Sequence, residues 1–292
     1  MRSGFVGIVG RPNVGKSTLL NAILGEKIAI TTEKPQTTRN TIRGIYTTDD
    51  LQMIFIDTPG IHKPRNKLGQ YMTDAATGTF AEVDAIIFIV DDALSKGPGD
   101  RYILELLKET DTPKILVINK IDQMDPDEFA QIYKEYEALG IFEDILGTAA
   151  INGVNVADVI DAAARFMEEG PMYFPEDMVT ENPARFIVSE IIREKILLHL
   201  QDEVPHGVAV EIEQYIERED ITEISAVIYC EKKSHKGMII GKNGRKLKGI
   251  GKSAREEIEG LLGTKVFLQT WVKVKENWRD SDIALSNFGY KE

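Results

Sequence analysis

The segment VGRPNVGKSTLLNAI, residues 9–23, places Gly10 and Gly15 around a short polar loop and continues with Lys16 and Ser17. Such glycines let successive backbone N–H groups point inward around phosphate oxygens, while the lysine adds positive charge and the serine hydroxyl can bind Mg²⁺. The apolar run FVGIVG precedes the loop, and the helical pattern KSTLLNAIL follows it and brings a helix N-terminus to the anion. The segment predicts a phosphate-binding loop, with a tight strand-to-helix turn as the alternative.

The chain around this loop alternates apolar runs with helical patterns from residue 1 to about residue 168. Runs such as LQMIFIDT and PKILVINK are continuously apolar and end in polar residues, which is typical of strands buried on both faces. Segments such as PDEFAQIYKEYEALG instead repeat apolar residues every three or four positions. The pattern predicts an α/β fold with a doubly wound, mostly parallel sheet and ligands at the carboxyl ends of its strands.

A second domain follows a proline-rich break. The stretch GPMYFPEDMVTENP, residues 170–183, contains three prolines and ends the alternating pattern. After it the order is helix, two strands, helix, glycine turn, helix and strand, which is an α+β arrangement. We therefore predict a first domain over residues 1–170, a linker over residues 171–183 and a second domain over residues 184–292.

Composition limits the class of protein. The chain has 292 residues, of which 42% are apolar, enough for two cores. It shows neither a signal-peptide pattern nor an apolar stretch near the ~20 residues that a membrane span needs, so we expect a soluble intracellular protein. The single cysteine, Cys230, lies in an apolar run and excludes a disulfide framework or a thiolate metal cluster.

The charge distribution is uneven. A net charge of −12 by itself argues against a nucleic-acid partner. However, residues 232–252 contain eight Lys or Arg and no Asp or Glu. A solvated lysine-rich surface is the alternative interpretation of such a run, but the glycines within it weaken that alternative.

Two further motifs end apolar strands. DTPG, residues 57–60, offers Asp57 to hold Mg²⁺ and the N–H of Gly60 to meet a γ-phosphate. NKID, residues 119–122, offers the Asp122 carboxylate to the N1–H and exocyclic amine of guanine, a donor pair that adenine lacks. A turn and a helix N-cap are the respective alternatives. Together with the phosphate loop, the motifs predict a guanine-nucleotide site.

These motifs, in this order, resemble the small GTPase superfamily of P-loop proteins, and the resemblance implies a Ras-like sheet. It also implies that Thr38 in QTTRN reaches Mg²⁺, with Thr37 as the alternative, and that Ala149 in the loop after residue 147 offers its N–H to the guanine O6. Thr148 departs from the more common serine of that loop. The expected nucleotide-binding residues are Gly10, Arg11, Pro12, Asn13, Val14, Gly15, Lys16, Ser17, Thr18, Asp57, Gly60, Asn119, Lys120, Asp122, Thr148, Ala149 and Ala150, with Mg²⁺ held by Ser17, Thr38 and Asp57.

Hydrolysis needs a route without the usual glutamine, because Ile61 follows Gly60 and cannot polarise water. The loop resembles GTPases with a hydrophobic residue at this position, many of which carry a phosphate-loop asparagine that helps to bind K⁺. Asn13 matches, with simple turn chemistry as the alternative. His62 is interpreted as a bystander. We expect a slow intrinsic GTPase in which Lys16, Thr38, Gly60 and Asn13 serve catalysis, with K⁺ as a candidate cofactor beside GTP or GDP and Mg²⁺.

The basic stretch contains the sequence GKNG, residues 241–244, before a long helical pattern. Two glycines let a single-stranded backbone come close, cations can meet its phosphates, and apolar neighbours including Leu247 can support about four bases. The context resembles the KH domain in its type II arrangement, whose extra elements precede the motif; a plain glycine turn is the alternative. The expected RNA-binding residues are Lys236, Ile239, Ile240, Gly241, Lys242, Asn243, Gly244, Arg245, Lys246 and Lys248.

A Ras-like GTPase domain followed by such a KH domain resembles the Era family of bacterial ribosome-assembly GTPases, and the match includes SEIIREK at residues 189–195. The resemblance implies binding of the 3′ end of the small-subunit 16S rRNA, a role in assembly of the 30S subunit, control of RNA binding by GTP, and transient membrane association in some members. We expect a cytoplasmic monomer, with peripheral attachment at the inner face of the cell membrane as an open possibility. The alternatives are a non-catalytic RNA-binding scaffold stabilised by nucleotide and a GTPase that serves tRNA modification.

Overall fold

The computed structural model of the chain describes residues 1–34, 36–91, 98–200 and 204–290. The chain divides into two compact units. The first unit comprises residues 1–31, 38–65 and 69–181, and the second comprises residues 32–37, 66–68 and 182–292.

The first unit contains the predicted doubly wound sheet, and helices connect most of its strands along the chain. The sheet order is β2-β3-β1-β4-β5-β6, with β2 antiparallel to β3, the neighbours from β3 to β6 parallel, and β7 antiparallel to β1. The strands are β1 (Arg2–Gly10), β2 (Ile42–Thr47), β3 (Leu51–Asp57), β4 (Ala85–Val90), β5 (Lys114–Ile118), β6 (Asp144–Gly147) and β7 (Glu168–Glu169), and the helices are α1 (Lys16–Leu24), α2 (Lys67–Gly78), α3 (Pro98–Lys108), α4 (Pro126–Glu137) and α5 (Val156–Ala164).

The central strands explain why polar motifs meet at one edge. Every residue of β3, β4 and β5 is buried, as expected for parallel strands that helices cover on both faces. Asp57 ends β3, Asp91 directly follows β4 and Asn119 directly follows β5. Because these strands run parallel, the three polar side chains reach the same edge of the sheet as Gly10 at the end of β1.

The proline-rich stretch is held against the first unit for most of its length. The N–H groups of Tyr173 and Phe174 donate to the Gln52 side-chain oxygen over 2.8 and 3.0 Å. Farther along, the Ile45 N–H donates to the Val179 carbonyl at 2.7 Å. The contacts place the division between the units after residue 181, near the end of the predicted linker.

The second unit has the α+β arrangement expected of a KH domain. Its elements are α6 (Ala184–His199), β8 (Ala209–Glu217), β9 (Ile221–Cys230), α7 (Lys233–Ile240), α8 (Arg245–Leu262), β10 (Lys265–Val274) and α9 (Asp282–Asn287). The sheet order is β10-β9-β8, with β9 parallel to β10 and antiparallel to β8. Alternate residues of β9 and β10 pack with α6 and α8 in one core that includes Ile191, Ile228, Ile250 and Val272.

Two smaller features complete the fold. Cys230 is buried, and its thiol forms no disulfide. Within the described ranges, no helix combines the length and apolar character that crossing a bilayer requires.

Candidate functional site

The phosphate loop has a backbone that requires its glycines. Gly10 has φ 157°, and a Cβ there would lie 2.5 Å from the Ile89 carbonyl oxygen. Gly15 has φ 106° in the left-handed region, and a Cβ there would lie 2.1 Å from the Asn119 side-chain nitrogen. Gly15 precedes α1, whose N-terminus has no side-chain cap. This helix end can therefore bind an anion.

Lys16 is buried beneath this loop with its ammonium on backbone carbonyls. Its Nζ donates to the carbonyls of Gly10 at 3.2 Å and Arg11 at 2.8 Å. Burial lowers the pKa of Lys16 to about 8, although the carboxylates of Asp57 and Asp91 oppose that shift. A cation of this kind is held ready for phosphate oxygens, which can take the place of the carbonyls.

Three oxygen-bearing side chains meet beside Lys16. The Ser17 hydroxyl donates to Asp57 Oδ2 at 2.6 Å and lies 2.8 Å from the Thr38 hydroxyl. Burial raises the pKa of Asp57 to about 6, against the opposing effects of Lys16, Ser17 and Thr38. Asp57 Oδ1 is buried without a hydrogen-bond partner among the described residues. Clustered hydroxyl and carboxylate oxygens with an unused acceptor fit a hard cation such as Mg²⁺.

The neighbouring Thr37 points elsewhere. Its hydroxyl donates to the Lys34 carbonyl at 2.6 Å and lies 2.6 Å from the Thr32 hydroxyl. Of the two threonines considered as Mg²⁺ ligands, the geometry therefore favours Thr38.

The DTPG loop packs closely on the phosphate loop. A Cβ on Gly60 would lie 2.6 Å from the Pro12 backbone nitrogen, and the Ile61 N–H donates to the Gly10 carbonyl at 3.1 Å. The Ile61 side chain is buried in the apolar core of the first unit. His62 Nδ1 lies 2.9 Å from the Gly60 carbonyl oxygen, so that ring nitrogen is engaged locally. The backbone N–H of Gly60 is therefore the candidate phosphate contact in this segment, because the Ile61 side chain is buried.

Asn119 joins the phosphate loop to the loop after β6. Its amide nitrogen donates to the Val14 carbonyl at 2.9 Å. Its amide oxygen accepts from the Thr148 hydroxyl and the Ala150 N–H, each at 3.0 Å. The side chain is therefore a buried bridge between three segments of the site rather than a group aimed at the base.

Asp122 is placed to contact a base. It lies in the exposed 3₁₀ turn Ile121–Gln123, and none of the described residues hydrogen-bonds its carboxylate. The N-cap of α4 is instead Asp125, whose side chain accepts from the Glu128 N–H at 2.8 Å. Asp122 does not cap this helix, and its carboxylate can accept from guanine.

The loop after β6, where Ala149 is expected to contact guanine, has internal hydrogen bonds. The Ala149 N–H donates to the Val154 carbonyl at 3.3 Å, and the Ala150 N–H donates to Asn119. Both amides are engaged within the protein. A contact of Ala149 with the guanine O6 would have to share an existing hydrogen bond.

Sequence reasoning missed two acidic residues at this edge. Asp91 contacts Arg11 at 3.1 Å and Lys120 at 2.6 Å, and Asp100 contacts Arg11 at 2.7 Å. The sequence does contain a signal for Asp91, because this residue directly follows a buried strand, as Asn119 does. Asp100 lies in the first turn of α3 and carried no comparable signal.

The basic loop of the second unit links α7 to α8 through left-handed residues. The φ values of Gly241, Asn243 and Gly244 are 70°, 54° and 73°. A Cβ on Gly241 would lie 2.7 Å from the Lys246 Cβ, whereas a Cβ on Gly244 would meet nothing within 4 Å. Lys242, the first residue after Gly241, is exposed. Packing thus requires a glycine at position 241. At position 244 the backbone conformation favours glycine, and the space around its Cα is open.

The charges around this loop are largely unneutralised. In residues 232–252, Lys252 lies 3.7 Å from Glu256, and the other Lys and Arg side chains form no ion pair with any described residue. Arg245, Lys246 and Lys248 are exposed, and Lys236 is half-buried. Ile239 is fully buried in the core, so it supports the loop from within, whereas Ile240 and Leu247 are partly exposed. The surface fits a polyanion with unstacked bases.

Comparisons with known proteins match a family to each part of the chain. Residues 5–120 match the family described as 50S ribosome-binding GTPase, and residues 203–279 match the KH domain family. The chain is 60% identical to GTPase Era of Alkaliphilus oremlandii (strain OhILAs) over 99% of both chains. It is 58% identical to GTPase Era of Clostridioides difficile (strain 630) over 100% of this chain and 99% of the relative.

The fold of the chain also matches solved structures of Era over its whole length. Era in complex with MgGDPNP and nucleotides 1506–1542 of 16S ribosomal RNA is 37% identical, with a TM-score of 0.95 over 100% of both chains. An Aquifex aeolicus Era variant bound to GDP and aluminium fluoride is 36% identical, with the same TM-score of 0.95 and the same coverage of 100%.

Proposed function

Because the chain belongs to the Era family of GTPases, as its motifs predicted, we propose that it is a GTP-hydrolysing switch that binds the 3′ end of 16S rRNA and acts in assembly of the 30S subunit. The observation that carries this proposal is the full-length match to an Era structure that holds MgGDPNP and that RNA. The chemistry of the two sites supports the proposal, because the phosphate loop suits a nucleotide and the basic KH loop suits a polyanion.

The first unit supplies the nucleotide contacts. Lys16 and the uncapped N-terminus of α1 would bind the phosphates, and the Asp122 carboxylate would select guanine. Ser17, Thr38 and Asp57 would hold Mg²⁺, which when bound neutralises charge on the β- and γ-phosphates.

Hydrolysis would depend on the backbone and on positive charge rather than on a glutamine side chain. Ile61 is buried in the core and cannot orient water, while the Gly60 N–H lies in the loop that faces the phosphate loop. Asn13 is exposed in the left-handed conformation with φ 68°, where its side chain is a candidate K⁺ ligand. Lys16 and this cation would together stabilise the charge that develops on the phosphates.

The K⁺ contribution can be tested by itself. We expect faster GTP hydrolysis in KCl than in NaCl at equal ionic strength. Asn13→Gly keeps the left-handed backbone accessible and removes the side chain, so it should abolish the difference between the salts. Equal wild-type rates in the two salts would eliminate K⁺ from the mechanism.

The second unit supplies the RNA contacts. The glycines at 241 and 244 would admit the sugar-phosphate backbone, and Lys242, Arg245 and Lys246 would neutralise its charge. Ile240 and Leu247 would lie beneath the bases. We also propose that bound GTP changes RNA affinity; equal affinities with GDPNP, with GDP and without nucleotide would refute that coupling.

The family also motivates proposals about location and assembly state. We propose a cytoplasmic monomer that attaches transiently to the inner face of the membrane. Sedimentation equilibrium tests the monomer, and flotation with anionic vesicles tests the attachment. A stable dimer, or no flotation in either nucleotide state, would contradict the respective statement.

The principal experiment measures steady-state GTP hydrolysis in potassium buffer with an oligonucleotide that carries the 3′ end of 16S rRNA. A scrambled oligonucleotide is the RNA control. We expect stimulation only by the cognate RNA, and its loss in Gly244→Asp, whose carboxylate would face phosphate. Gly263→Asp is the matched protein control, because Gly263 has φ 65° and equally open surroundings at the other end of α8.

The outcomes distinguish the possible functions. Specific stimulation supports one switch with two ligands. RNA binding without any GTP hydrolysis would favour a nucleotide-stabilised scaffold. Equal RNA binding by wild-type protein and Gly244→Asp would show that this loop does not hold the RNA.

A further inference from the structure

One carboxylate at the nucleotide-binding edge contacts two cationic side chains that lie on different loops. Asp91 Oδ1 lies 3.1 Å from the Arg11 guanidinium, and Asp91 Oδ2 lies 2.6 Å from the Lys120 ammonium. Arg11 belongs to the phosphate loop, and Lys120 belongs to the NKID motif that follows β5. Asp91 therefore joins the phosphate-binding and base-binding segments of the site.

The same lysine makes a direct contact between these segments. Its Nζ donates to the Asn13 carbonyl at 2.7 Å. Both residues have left-handed backbones, with φ 63° at Lys120 and φ 68° at Asn13. This conformation is common for asparagine but unfavourable for lysine, so at Lys120 it persists only where surrounding contacts maintain it. The Lys120–Asn13 hydrogen bond connects these two left-handed positions.

The two cations depend on Asp91 to different degrees. Arg11 has a second carboxylate partner, since its Nε donates to the buried Asp100 at 2.7 Å. Among the described residues, Asp91 is the one acidic group that pairs with Lys120. Neutralising Asp91 would leave Arg11 anchored on Asp100, whereas Lys120 would lose its charged partner and keep its hydrogen bond to the Asn13 carbonyl.

Asp91 also acts on the phosphate-binding lysine from a distance. Its charge favours the protonated form of the buried Lys16, because it opposes the lowering of the Lys16 pKa by burial. The Asp91 carboxylate thus favours the charged form of Lys16 in addition to pairing with Arg11 and Lys120.

We propose that Asp91 is a positioning residue that holds Lys120 and the phosphate loop together and thereby sets the residence time of the bound guanine nucleotide. The proposal rests on the guanine-nucleotide site of the proposed function. A nucleotide must contact the phosphate loop and the NKID segment at once, so loosening their connection speeds its release. The base itself is selected by Asp122, which does not contact Asp91, so selectivity should be unchanged.

The test is the dissociation rate of fluorescent mant-GDP and mant-GTP from the full-length protein, followed by stopped flow after displacement with unlabelled nucleotide. Asp91→Asn should accelerate release of both nucleotides about tenfold while preserving the ratio of GDP to IDP affinity. Asp91→Glu keeps the carboxylate and should restore most of the residence time. Asp144→Asn is the matched control, since Asp144 forms a salt bridge of 3.1 Å with Arg165 in the same unit and should have no effect.

A double-mutant cycle separates positioning from general destabilisation. If Asp91 acts through Lys120, then Asp91→Asn should add less than a further twofold to the rate of Lys120→Met, whereas a general loss of stability would multiply the two effects. Release from Asp91→Asn within twofold of wild type, or multiplicative effects in the cycle, would overturn the proposal. Failure of the wild-type protein to bind guanine nucleotide would instead overturn the proposed function.

Discussion

Replacing Asn119 by alanine should disconnect three segments of the nucleotide site at once. The side chain makes hydrogen bonds of 2.9 Å to Val14, 3.0 Å to Thr148 and 3.0 Å to Ala150. Asn119 and its three partners are all buried, so the groups left behind would lack both their partner and ready access to water. At about 1 kcal/mol for each lost hydrogen bond, the free energy of unfolding of the first unit should fall by about 3 kcal/mol.

The magnitude is large enough to measure by thermal unfolding. For a unit of this size, a loss of about 3 kcal/mol corresponds to a decrease in Tm of roughly 6–12 °C. Both tryptophans, Trp271 and Trp278, lie in the second unit, so circular dichroism at 222 nm should record the decrease while tryptophan fluorescence provides a reference for the other unit. GDP affinity, measured by calorimetry below the transition, should fall at least tenfold because the phosphate and base loops lose their common support.

A control in the same loop makes the result decisive. Asn152→Ala changes an exposed asparagine in the 3₁₀ turn Ala150–Asn152, and its Tm should stay within about 2 °C of wild type. If Asn119→Ala melts like Asn152→Ala and retains GDP affinity, then the bridging role assigned to the Asn119 side chain is wrong.

Three other perturbations give distinct readouts. Gly60→Ala places a Cβ 2.6 Å from the Pro12 nitrogen, so GTP hydrolysis should fall at least tenfold with a smaller loss of GDP affinity. Gly78→Ala is the control and should be neutral, because a Cβ there meets nothing within 4 Å. Equal hydrolysis rates for the two variants would contradict the close packing of Gly60 on Pro12. Asp122→Asn should weaken guanine selectivity and shift it towards xanthine in competition assays, whereas unchanged selectivity would place base recognition elsewhere. Because burial raises the pKa of Asp57 to about 6, its ionised fraction should fall from about 0.9 at pH 7 to about 0.1 at pH 5. Mg²⁺ affinity in the GDP complex should therefore drop about tenfold, and constant affinity in a Mg²⁺ titration across that range would contradict the expected protonation of Asp57.

Much of the first unit could be predicted because its signals are local. Continuous apolar runs predicted buried parallel strands, and the polar motifs that follow β3 and β5 predicted a shared edge. The same reasoning covered the glycines of the phosphate loop, whose backbone geometry excludes other residues. These features depend on a few neighbouring residues, so a single sequence carries them.

In the second unit, the sequence predicts the motif but not which of its apolar side chains are buried. The glycine loop, its basic neighbours and the following helix are visible in the sequence, since charge and glycine spacing are local properties. Whether an apolar residue beside that loop faces the core or the ligand is not local. Ile239 turned inward and Ile240 remained partly exposed, because α7 packs against β10 and buries one of its faces.

By itself, the sequence determined the two-domain class and the positions of the phosphate loop, the NKID motif and the basic KH loop, because each motif is a short pattern with its own chemistry. Only the tertiary structure decided that Thr38 rather than Thr37 meets Ser17, and that Asp91 pairs with Lys120. The physical reason is the same in both cases. Hydrogen bonds and ion pairs act over about 3 Å, and the fold alone brings residues that are distant in sequence within that range.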